Sequence, residues 1–493
     1  MPRIRTSSAP ELLLAIDRTS PEPIHRQLER ALREAVRSGR LAPGATLPST
    51  RALAAEAGVS RGIAVEAYEQ LVAEGYLESR AGGLTRVART ATVRSVLPRP
   101  TQPIQYELDF RPGRPDLEAF PREAWLRSLR RTLTTAPAAR LGYLDGRGIP
   151  ELRVELATYL NRVRGTVADP DDIVVSTGFA QGIWLIATVL RADGARRFAM
   201  EDPALGDSAH IIGTTGLQVV PISVDDGGLR VDLLDAAAVA GVLVTPAHQY
   251  PTGRVLSPER RAALLAWAER RGGLIVEDDY DAEYRYDREP IGALQGLRPD
   301  RVVYAGSASK VLAPGLRLGW LVAPSELATR LAATKKGIDQ GSPAIDQLAF
   351  ADFIARGELD RHLRRMRPIY RRRRDVLLAA LARHLPALRP VGAAAGLHIL
   401  AWLPPDLDPE VIVAAAATAG IGIGSLAPGS SVVATATLGT PGGLVFGYGA
   451  IGEGAIDDGL ARLAAVIAGI RDSKDRPENV GAAPEGAAPL LSR

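Results

Sequence analysis

Short apolar runs alternate with amphipathic stretches along most of the chain. The pattern is clearest in four runs, Asp172–Ser176, Gly241–Thr245, Gly273–Glu277 and Arg301–Tyr304, which are too short for helices and are separated by stretches with helical spacing. Buried strands that alternate with amphipathic helices are typical of a parallel sheet with helices on both faces. The pattern therefore predicts an α/β domain over residues 108–471.

A pattern with helical spacing alone precedes this domain. Residues 24–36 place their apolar side chains on one helical face. Ser49 is positioned to cap a second, short helix that Gly58 ends, and Ser60 to cap a third helix that continues to about Glu74. Two short helices joined by a glycine turn predict a helix-turn-helix, whose second helix enters the major groove of DNA by its first turn.

The stretch after this motif predicts a β-hairpin. Residues 75–87 contain two short strand-like runs around a glycine turn, with Arg80 and Arg86 beside the turn. Arg61 lies in the first turn of the predicted recognition helix. Residues 1–90 hold thirteen arginines and ten acidic residues, so this segment is only weakly basic. The alternative to a DNA-binding module is a three-helix module that binds another protein.

Composition limits the remaining possibilities. A chain of 493 residues is too long for one core, and we expect a DNA-binding domain at 15–89, a Pro- and Thr-rich linker at 90–107, the α/β domain at 108–471 and a disordered tail at 472–493. The absence of cysteine excludes disulfides, thiolate zinc sites and cysteine nucleophiles. No signal peptide and no stretch of roughly 18 uncharged apolar residues is visible, which predicts a cytoplasmic protein without membrane contact.

Lysine is rare in this chain and one lysine stands in a distinctive context. Only four of the 60 basic residues are lysines, and Lys310 follows a predicted strand in Tyr304-Ala-Gly-Ser-Ala-Ser-Lys310. Lysine, unlike arginine, can lose its proton and form an imine with an aldehyde. A lysine-bound aldehyde cofactor is pyridoxal 5'-phosphate (PLP), so the residue predicts a PLP site. The alternative is a surface lysine without a function.

A PLP site also needs donors for its phosphate. The stretch Ser176–Gly182 follows a predicted strand and opens a helix, so the backbone amides around Gly178, Phe179 and Ala180 are candidates for binding a phosphate dianion. The hydroxyls of two serines and one guanidinium near Lys310 are further candidates: Ser307, Ser309 and Arg317.

The PLP ring needs a carboxylate at its nitrogen and a partner for its hydroxyl. Asp278 is the favoured carboxylate, with Asp279 as the close alternative, and Tyr280 points the same way as Asp278 on an extended chain. His248 or Tyr250, after another predicted strand, is the candidate partner for the ring oxygen. The alternatives are an acidic turn that binds nothing and an ordinary loop histidine.

The amino-terminal segment resembles the winged helix of GntR-type transcription regulators over about 65 residues. The matching stretches are Pro48-Ser-Thr-Arg51, Gly58-Val-Ser-Arg61 and Ala67-Tyr-Glu-Gln-Leu-Val-Ala-Glu-Gly75-Tyr-Leu. The resemblance implies that Arg51 and Arg61 contact double-stranded operator DNA and that Ser49 and Ser60 lie at its phosphates. Arg80 and Arg86, beside the turn of the predicted wing, are further candidates for DNA contact.

The rest of the chain resembles fold-type I aminotransferases, and the whole chain is similar to the MocR subfamily of GntR regulators. The stretches that carry this resemblance are Phe110-Arg-Pro-Gly113, Tyr143-Leu-Asp-Gly-Arg-Gly-Ile-Pro-Glu-Leu-Arg153, Gly178-Phe-Ala-Gln-Gly182, His248-Gln-Tyr-Pro-Thr-Gly253, Glu277-Asp-Asp-Tyr-Asp281, Ser309-Lys310 and Leu312-Ala-Pro-Gly-Leu-Arg-Leu-Gly319. The resemblance implies a small carboxyl-terminal α+β subdomain, PLP on Lys310 as an internal aldimine, and Asp278 at the pyridine nitrogen. It also implies a domain-swapped homodimer in which Tyr143 reaches the partner's phosphate site.

Two departures from the family pattern bear on activity. An aliphatic Leu205 stands where an aromatic usually stacks on the ring, and Val445 stands where an arginine usually binds the substrate α-carboxylate. Loss of that arginine removes the contact that orients an amino acid. We therefore expect a regulator that senses PLP or an amino compound, with little or no transaminase activity. The alternatives are an active aminotransferase with an added DNA-binding module and a DNA-binding protein that has lost PLP.

A run of arginines between Arg361 and Arg374 needs a separate interpretation. Its charge could meet DNA phosphates. Runs of this kind are more often the solvated face of a helix, and we expect that role here.

Overall fold

The computed structural model describes residues 16–79, 84–89, 105–204, 206–287, 291–428 and 441–475, without the side chains of the last three. Contacts divide the chain into two compact units, residues 1–103 and 104–493. Most of the predicted linker and most of the predicted tail lie outside the described residues. The predicted domain boundaries therefore stay predictions.

The first unit consists of three helices and one small hairpin. Its elements are α1 (Ile24–Arg37), α2 (Thr50–Glu56), α3 (Arg61–Ala73), β1 (Leu77–Glu78) and β2 (Arg86–Val87). The strands pair antiparallel, with Leu77 opposite Val87. Leu28, Leu53 and Leu71, one from each helix, are fully buried in a common core. The predicted helix-turn-helix and the strands of the predicted hairpin are confirmed.

The second unit contains thirteen described strands and twelve described helices. The strands are β3 (Leu108–Phe110), β4 (Ile173–Ser176), β5 (Arg197–Asp202), β6 (Gln218–Asp225), β7 (Gly228–Leu229), β8 (Gly241–Val244), β9 (Leu274–Asp278), β10 (Val302–Ser307), β11 (Gly319–Val322), β12 (Arg389–Val391), β13 (His398–Trp402), β14 (Ile421–Leu426) and β15 (Gly443–Gly447). The helices are α4 (Arg122–Thr135), α5 (Pro150–Val163), α6 (Phe179–Ala192), α7 (Gly206–Thr214), α8 (Leu234–Ala237), α9 (Pro258–Arg271), α10 (Ala308–Val311), α11 (Ser325–Asp339), α12 (Ala344–Ala355), α13 (Glu358–His384), α14 (Pro409–Thr418) and α15 (Glu453–Asp475).

Eight strands form the large sheet in the order β4-β11-β10-β9-β8-β5-β6-β7. The pairs from β10 through β9, β8 and β5 to β6 are parallel, whereas β11 is antiparallel to both of its neighbours. Consecutive residues of one strand enter different cores, since Val303 packs with α6 and α11 side chains and Tyr304 packs with those of α12 and α13. The predicted parallel sheet with helices on both faces is confirmed.

A smaller sheet follows in the order β12-β13-β15-β14-β3, and it is antiparallel except for the β14-β3 pair. Leu444 and Phe446 on one face join the main core with side chains of α15. Val445, between them in sequence, points to the other face and packs with Leu400 and Leu426. Helices α13, α14 and α15 complete the small α+β subdomain that the resemblance implies. Among the described helices, none is both long and apolar enough to cross a membrane.

Candidate functional site

The two serines of the helix-turn-helix are helix caps. The Ser49 hydroxyl accepts a hydrogen bond from the Ala52 amide at 3.2 Å, and the Ser60 hydroxyl accepts one from the Ile63 amide at 3.4 Å. Both serines are exposed and begin α2 and α3 respectively. Helix starts present free backbone amides and a positive partial charge, which suit a phosphate oxygen.

The arginines predicted to contact DNA are placed on the surface of the same unit. Arg51 and Arg61 are exposed in the first turns of α2 and α3, and Arg86 is exposed on β2. Arg80 lies outside the described residues. The start of α3 therefore offers an exposed guanidinium where a recognition helix meets base edges.

A cavity of about 420 Å³ lies at the carboxyl ends of the large-sheet strands, where ligands bind in open α/β sheets. Strands β5, β8, β9 and β10 all deliver residues to it at or just after their last positions. Nine of the predicted cofactor-site residues line it: Phe179, Ala180, Tyr250, Asp278, Tyr280, Ser307, Ser309, Lys310 and Arg317. Chain segments that are more than 130 residues apart in sequence thus meet in one enclosed space.

Lys310 enters the cavity from the short helix α10, which begins directly after β10. Its Nζ donates a hydrogen bond to the Gly113 carbonyl at 2.6 Å. Burial lowers the pKa of Lys310, while the nearby carboxylates of Asp281 and Asp278 act in the opposite direction. A lysine whose ammonium form is partly desolvated can lose its proton more readily, which is the property that imine chemistry needs.

A phosphate-sized cradle lies at the start of α6. Gly178 caps this helix with a φ of 95°, and a methyl group at its Cα would come within 3.3 Å of the Arg317 guanidinium. Arg317 reaches this point from a turn in which its own φ is 50°. The Ser307 hydroxyl accepts a hydrogen bond from the Ser309 amide at 3.0 Å, so the two serines adjoin at the start of α10. Helix amides, a guanidinium and hydroxyls together suit a dianion.

The two consecutive aspartates at the end of β9 face different surroundings. Asp278 lines the cavity, and burial raises the pKa of its carboxyl well above the usual range. Asp279 does not line it and instead accepts a hydrogen bond from the Arg164 Nε at 2.7 Å, with both side chains 1% exposed. Of the two alternatives left open by the sequence, Asp278 is the carboxylate that a ligand in the cavity would meet.

Tyr250 and Tyr280 line the cavity, whereas His248 lies behind them. The Tyr280 hydroxyl donates to the His248 carbonyl at 2.9 Å and lies 3.2 Å from the His248 Nδ1. His248 is 2% exposed and does not line the cavity. Burial, and secondarily the Asp207 carboxylate, raise the pKa of Tyr250 to about 12, so its hydroxyl keeps its proton. Tyr250 is thus better placed than His248 to meet a ligand.

The cavity lining also includes four acidic or histidine residues that the sequence did not single out: Glu201, Asp207, Asp281 and His398. Donor atoms of His248, Asp281 and His398 lie within 4.8 Å of one another, and all three side chains are buried. Burial lowers the pKa of His398 well below its usual value, so the ring is neutral. The one available signal was that His398 is the sole basic side chain between Arg389 and Arg462.

Two further predicted residues, Tyr143 and Val445, do not line the described cavity. Tyr143 is 91% exposed and does not line it. Val445, which stands where an arginine usually binds the substrate α-carboxylate, is buried in the small sheet with Leu400. Leu205 lies outside the described residues.

The arginine run on α13 makes several contacts within its own unit. The Arg373 guanidinium pairs with Asp116 at 2.7 Å, and the Arg367 Nε donates to the Glu283 carbonyl at 2.7 Å. Arg372 pairs with Glu453 at 3.1 Å. Several arginines of this run therefore form ion pairs and hydrogen bonds within the second unit. The run is not only the solvated helix face that the sequence suggested.

Family comparisons match each unit separately. Residues 110–417 match "Aminotransferase class I and II", and residues 24–87 match "Bacterial regulatory proteins, gntR family".

Relatives of nearly full length join both units in one chain. The "HTH-type pyridoxine biosynthesis transcriptional regulator PdxR" of Corynebacterium glutamicum is 33% identical, over 93% of this chain and 99% of the relative. The "Probable rhizopine catabolism regulatory protein MocR" of Rhizobium meliloti is 32% identical, over 96% of this chain and all of the relative.

Solved structures resemble the second unit. An archaeal alanine:glyoxylate aminotransferase covers 73% of this chain and 90% of its own, with 28% identity and a TM-score of 0.66. LysN, the α-aminoadipate aminotransferase of Thermus thermophilus, was solved with N-(5'-phosphopyridoxyl)-L-leucine. It covers 74% of this chain and 93% of its own, with 25% identity and a TM-score of 0.66.

Proposed function

Because the chain belongs to the class I and II aminotransferases and to the MocR- and PdxR-type GntR transcription regulators, whose cofactor is PLP, we propose that PLP bound covalently to Lys310 controls its binding to operator DNA. One observation carries the proposal. Lys310, Asp278 and Arg317, which the sequence selects for three different parts of PLP, line one cavity in a chain that also carries a helix-turn-helix.

The residues of the cavity fit PLP. Asp278 has no hydrogen-bond partner for its carboxylate among the described residues, and a protonated pyridine nitrogen would supply one. Gly178 leaves open the space beside Arg317 that a side chain would fill, and this space suits a phosphate. When bound, PLP supplies an aldehyde that combines with amines and a ring that withdraws electrons.

Each side chain has a definite task in this proposal. Lys310 provides the amine that holds the cofactor, and the Gly113 carbonyl fixes the position of its Nζ. Asp278 holds a proton on the ring nitrogen, and Tyr250 donates to the ring oxygen. Tyr280 is held by His248, which orients it without touching the ligand. The phosphate is bound by Ser307, Ser309, Arg317 and the α6 amides at Phe179 and Ala180. Leu205 is proposed to cover the ring.

The small sheet favours sensing over transamination. Val445 and its neighbours Leu400 and Leu426 form an apolar patch where a transaminase needs a guanidinium for the substrate carboxylate. The signal is then PLP itself or an amino compound that engages it. Binding of either one would change whether Lys310 is linked to the cofactor. That change would shift the equilibrium between states of the protein that differ in affinity for DNA.

An active aminotransferase with an added regulator domain is the second candidate. The solved relatives named above are aminotransferases, and the partly desolvated lysine in the cavity favours this interpretation. Sustained conversion of an amino donor by the purified protein, abolished by Lys310→Ala, would support it.

For the DNA interface we propose the exposed start of α3 in the major groove. Arg61 and Arg51 contact bases or nearby phosphates, the α2 and α3 starts at Ser49 and Ser60 meet phosphates, and Arg80 and Arg86 of the wing approach the adjacent backbone. The domain occupies residues 15–89, and a linker at 90–107 joins it to the body at 108–471.

We further propose a cytoplasmic homodimer with exchanged DNA-binding domains. Apolar side chains are exposed on the second unit at Leu133, Leu141 and Ile338, and Tyr143 is nearly free of contacts. Apolar side chains exposed in this way are available for a protein interface. In this arrangement Tyr143 reaches the phosphate site of the partner.

Footprinting on the upstream DNA of the protein's own gene, with and without PLP, tests the proposal. We expect protection whose extent changes with PLP, loss of protection in Arg61→Ala with the cofactor absorption intact, and loss of PLP dependence in Lys310→Ala. Protection identical with and without PLP would refute cofactor control. Loss of both DNA binding and cofactor in Arg61→Ala would show that DNA binding and cofactor binding do not belong to separate domains as proposed.

A further inference from the structure

The cavity carries an excess of negative charge once the cofactor is accounted for. Its charged lining consists of four acids, Glu201, Asp207, Asp278 and Asp281, and two bases, Lys310 and Arg317. In the proposed function Arg317 pairs with the phosphate, Asp278 meets the ring nitrogen, and Lys310 is linked to the cofactor. The three remaining ionisable groups are all carboxyls: Asp207, Asp281 and Glu201, whose pKa burial raises to about 7.

The strands β13, β14 and β15 of the small sheet carry no lysine or arginine that could offset these acids. Residues 390–461 contain neither residue, and this holds also for the part of that stretch whose placement is not described. Its one imidazole, His398, reaches the cavity and is neutral because it is buried. A carboxylate that entered beside these strands would find no lysine or arginine on them.

The geometry of the small sheet shows what such a carboxylate would meet instead. His398 pairs with Gly447 and Leu400 pairs with Val445 on neighbouring antiparallel strands, so His398 and Val445 lie on the same face of the sheet. Around Val445 that face is apolar, because Leu400 and Leu426 pack against it. Burial of a carboxylate there would be costly.

The acids themselves are placed to receive cations. Asp281 is 1% exposed, its Oδ2 lies 3.1 Å from the His248 Nδ1, and its Oδ1 is buried without a hydrogen-bond partner among the described residues. Asp281 is also the leading electrostatic partner of the Lys310 ammonium. When Lys310 is committed to the cofactor, Asp281 no longer faces a primary ammonium of this lysine.

Asp207 extends the negative field to the mouth of the cavity. It stands in the first turn of α7, is exposed, and lies close enough to Tyr250 to affect its ionisation. A ligand with one cationic group near Asp281 and another near Asp207 would be attracted at both ends, since a cleft lined by one sign of charge concentrates ligands of the opposite sign.

We propose that the amino effector is a primary diamine without a carboxylate. One amino group enters beside Asp281 and His398 at the Lys310 end of the cavity, and the second is held by Asp207 at the mouth. This rests on the proposed function, because it assumes that PLP occupies Lys310, Asp278 and Arg317 and leaves the other acids for a second ligand. Amino acids are disfavoured because their carboxylate would lie against Asp207 or the apolar face at Val445.

Three four-carbon amines that differ only at the far end test this inference. PLP-loaded full-length protein is titrated with 1,4-diaminobutane, 1-aminobutane and 4-aminobutyrate, and dissociation constants are read from the change in cofactor absorption. We expect the diamine to bind at least about tenfold tighter than 4-aminobutyrate, with 1-aminobutane between them.

Variants at two exposed acids in first helical turns separate recognition from general charge effects. Asp207→Asn is expected to weaken diamine binding about fivefold while leaving 1-aminobutane unchanged, because an exposed ion pair contributes modestly. Asp207→Glu should retain the preference. Glu326→Gln, in the first turn of α11 and outside the cavity lining, serves as the matched control and should change none of the three constants.

The outcomes distinguish this inference from the function on which it rests. Binding of 4-aminobutyrate as tight as that of the diamine, in protein that shows the cofactor band, overturns the diamine inference alone. An equal effect of Asp207→Asn on the diamine and on 1-aminobutane also overturns it. Absence of any cofactor band in PLP-saturated protein overturns the proposed function and this inference together.

Discussion

At the scale of single residues, the two adjacent aspartates at the end of β9 have different roles. Successive side chains of a strand point to opposite faces, so Asp278 enters the cavity while Asp279 pairs with Arg164 on the other side. The Asp278 carboxylate is available to a ligand in the cavity, whereas the Asp279 carboxylate forms a buried ion pair with Arg164. One residue of displacement thus separates binding from stability.

Exchange of each carboxylate for an amide should separate these two effects. Asp279→Asn leaves the Arg164 guanidinium buried without its counter-charge, so the free energy of unfolding should fall by about 3–5 kcal/mol. Asp278→Asn should leave stability nearly unchanged and weaken PLP binding instead. Chemical denaturation and PLP titration of both variants measure the two effects. The reverse assignment, with PLP affinity lost only in Asp279→Asn, would show that the two aspartates have exchanged roles.

Glu201 should make stability depend on pH in a predictable direction. Burial raises the pKa of this glutamate to about 7, even though hydrogen bonds from Thr245 partly oppose the shift. The unfolded chain ionises at lower pH than the folded one. This contribution to stability is therefore complete below about pH 4.5, falls by about 1.4 kcal/mol per pH unit, and is gone above about pH 7.

Glu201→Gln isolates that contribution. Because the amide does not titrate, the wild type should lose stability relative to the variant as pH rises from 5 to 7, and the difference should stay constant from 7.5 to 8.5. Unfolding of both proteins across this range measures it. A difference that grows with pH in the opposite sense would mean that Glu201 is ionised in the folded protein.

At the scale of elements, the phosphate cradle depends on the turn from β4 into α6. Gly178 there has a φ of 95°, a conformation that glycine adopts without strain, and it leaves room beside Arg317. Gly194, just after the same helix, has a φ of 90° and no neighbour within 4 Å of a substituted side chain. Both glycines have a positive φ near 90°, but they differ in what surrounds them.

These two glycines form a matched pair for mutation. Gly178→Ala and Gly194→Ala should each destabilise the fold by about 1 kcal/mol through backbone strain. Only Gly178→Ala should also weaken PLP binding, by about tenfold or more, because its methyl group occupies the phosphate space. PLP titration with thermal unfolding measures both properties. Equal PLP affinity in the two variants would show that the phosphate does not bind at the start of α6.

Sequence patterns predicted the elements of this fold better than the full lining of its cavity. The strands around Val174, Val242, Ile275 and Val303 were predicted because they are short, apolar and bounded by turns. Lys310, Asp278 and Arg317 were found because cofactor-binding residues follow strand ends. The choice between Asp278 and Asp279 stayed open because both faces of a buried sheet are covered, so the pattern does not show which face holds a cavity.

His398 and Asp281 were missed for different physical reasons. His398 comes from the second sheet, about 90 residues after Lys310, and only tertiary packing brings it to the cavity. Asp281 belongs to a run of acids in which alternation along the strand selected Asp278 and Tyr280. The chain turns after β9, and alternation no longer holds at Asp281.

At the scale of the whole molecule, the proposal requires a homodimer in which each cofactor site is completed by its partner. Tyr143 is 91% exposed and absent from the cavity of its own chain, as expected for a side chain that works in another subunit. Tyr143→Ala should therefore weaken PLP binding severalfold without changing the mass measured by sedimentation. Tyr143→Phe keeps the ring and should show how much of the effect belongs to the hydroxyl. Unchanged PLP affinity in Tyr143→Ala would exclude the residue from the phosphate site.

Borohydride reduction of PLP-saturated protein, followed by peptide mass mapping, tests the central claim most directly. The account predicts one pyridoxyl adduct per chain, on Lys310, and none on Lys335, Lys336 or Lys474. Lys310→Ala should carry no adduct while still binding operator DNA. A saturated wild-type protein without label at Lys310, or with label on another lysine, would contradict the account.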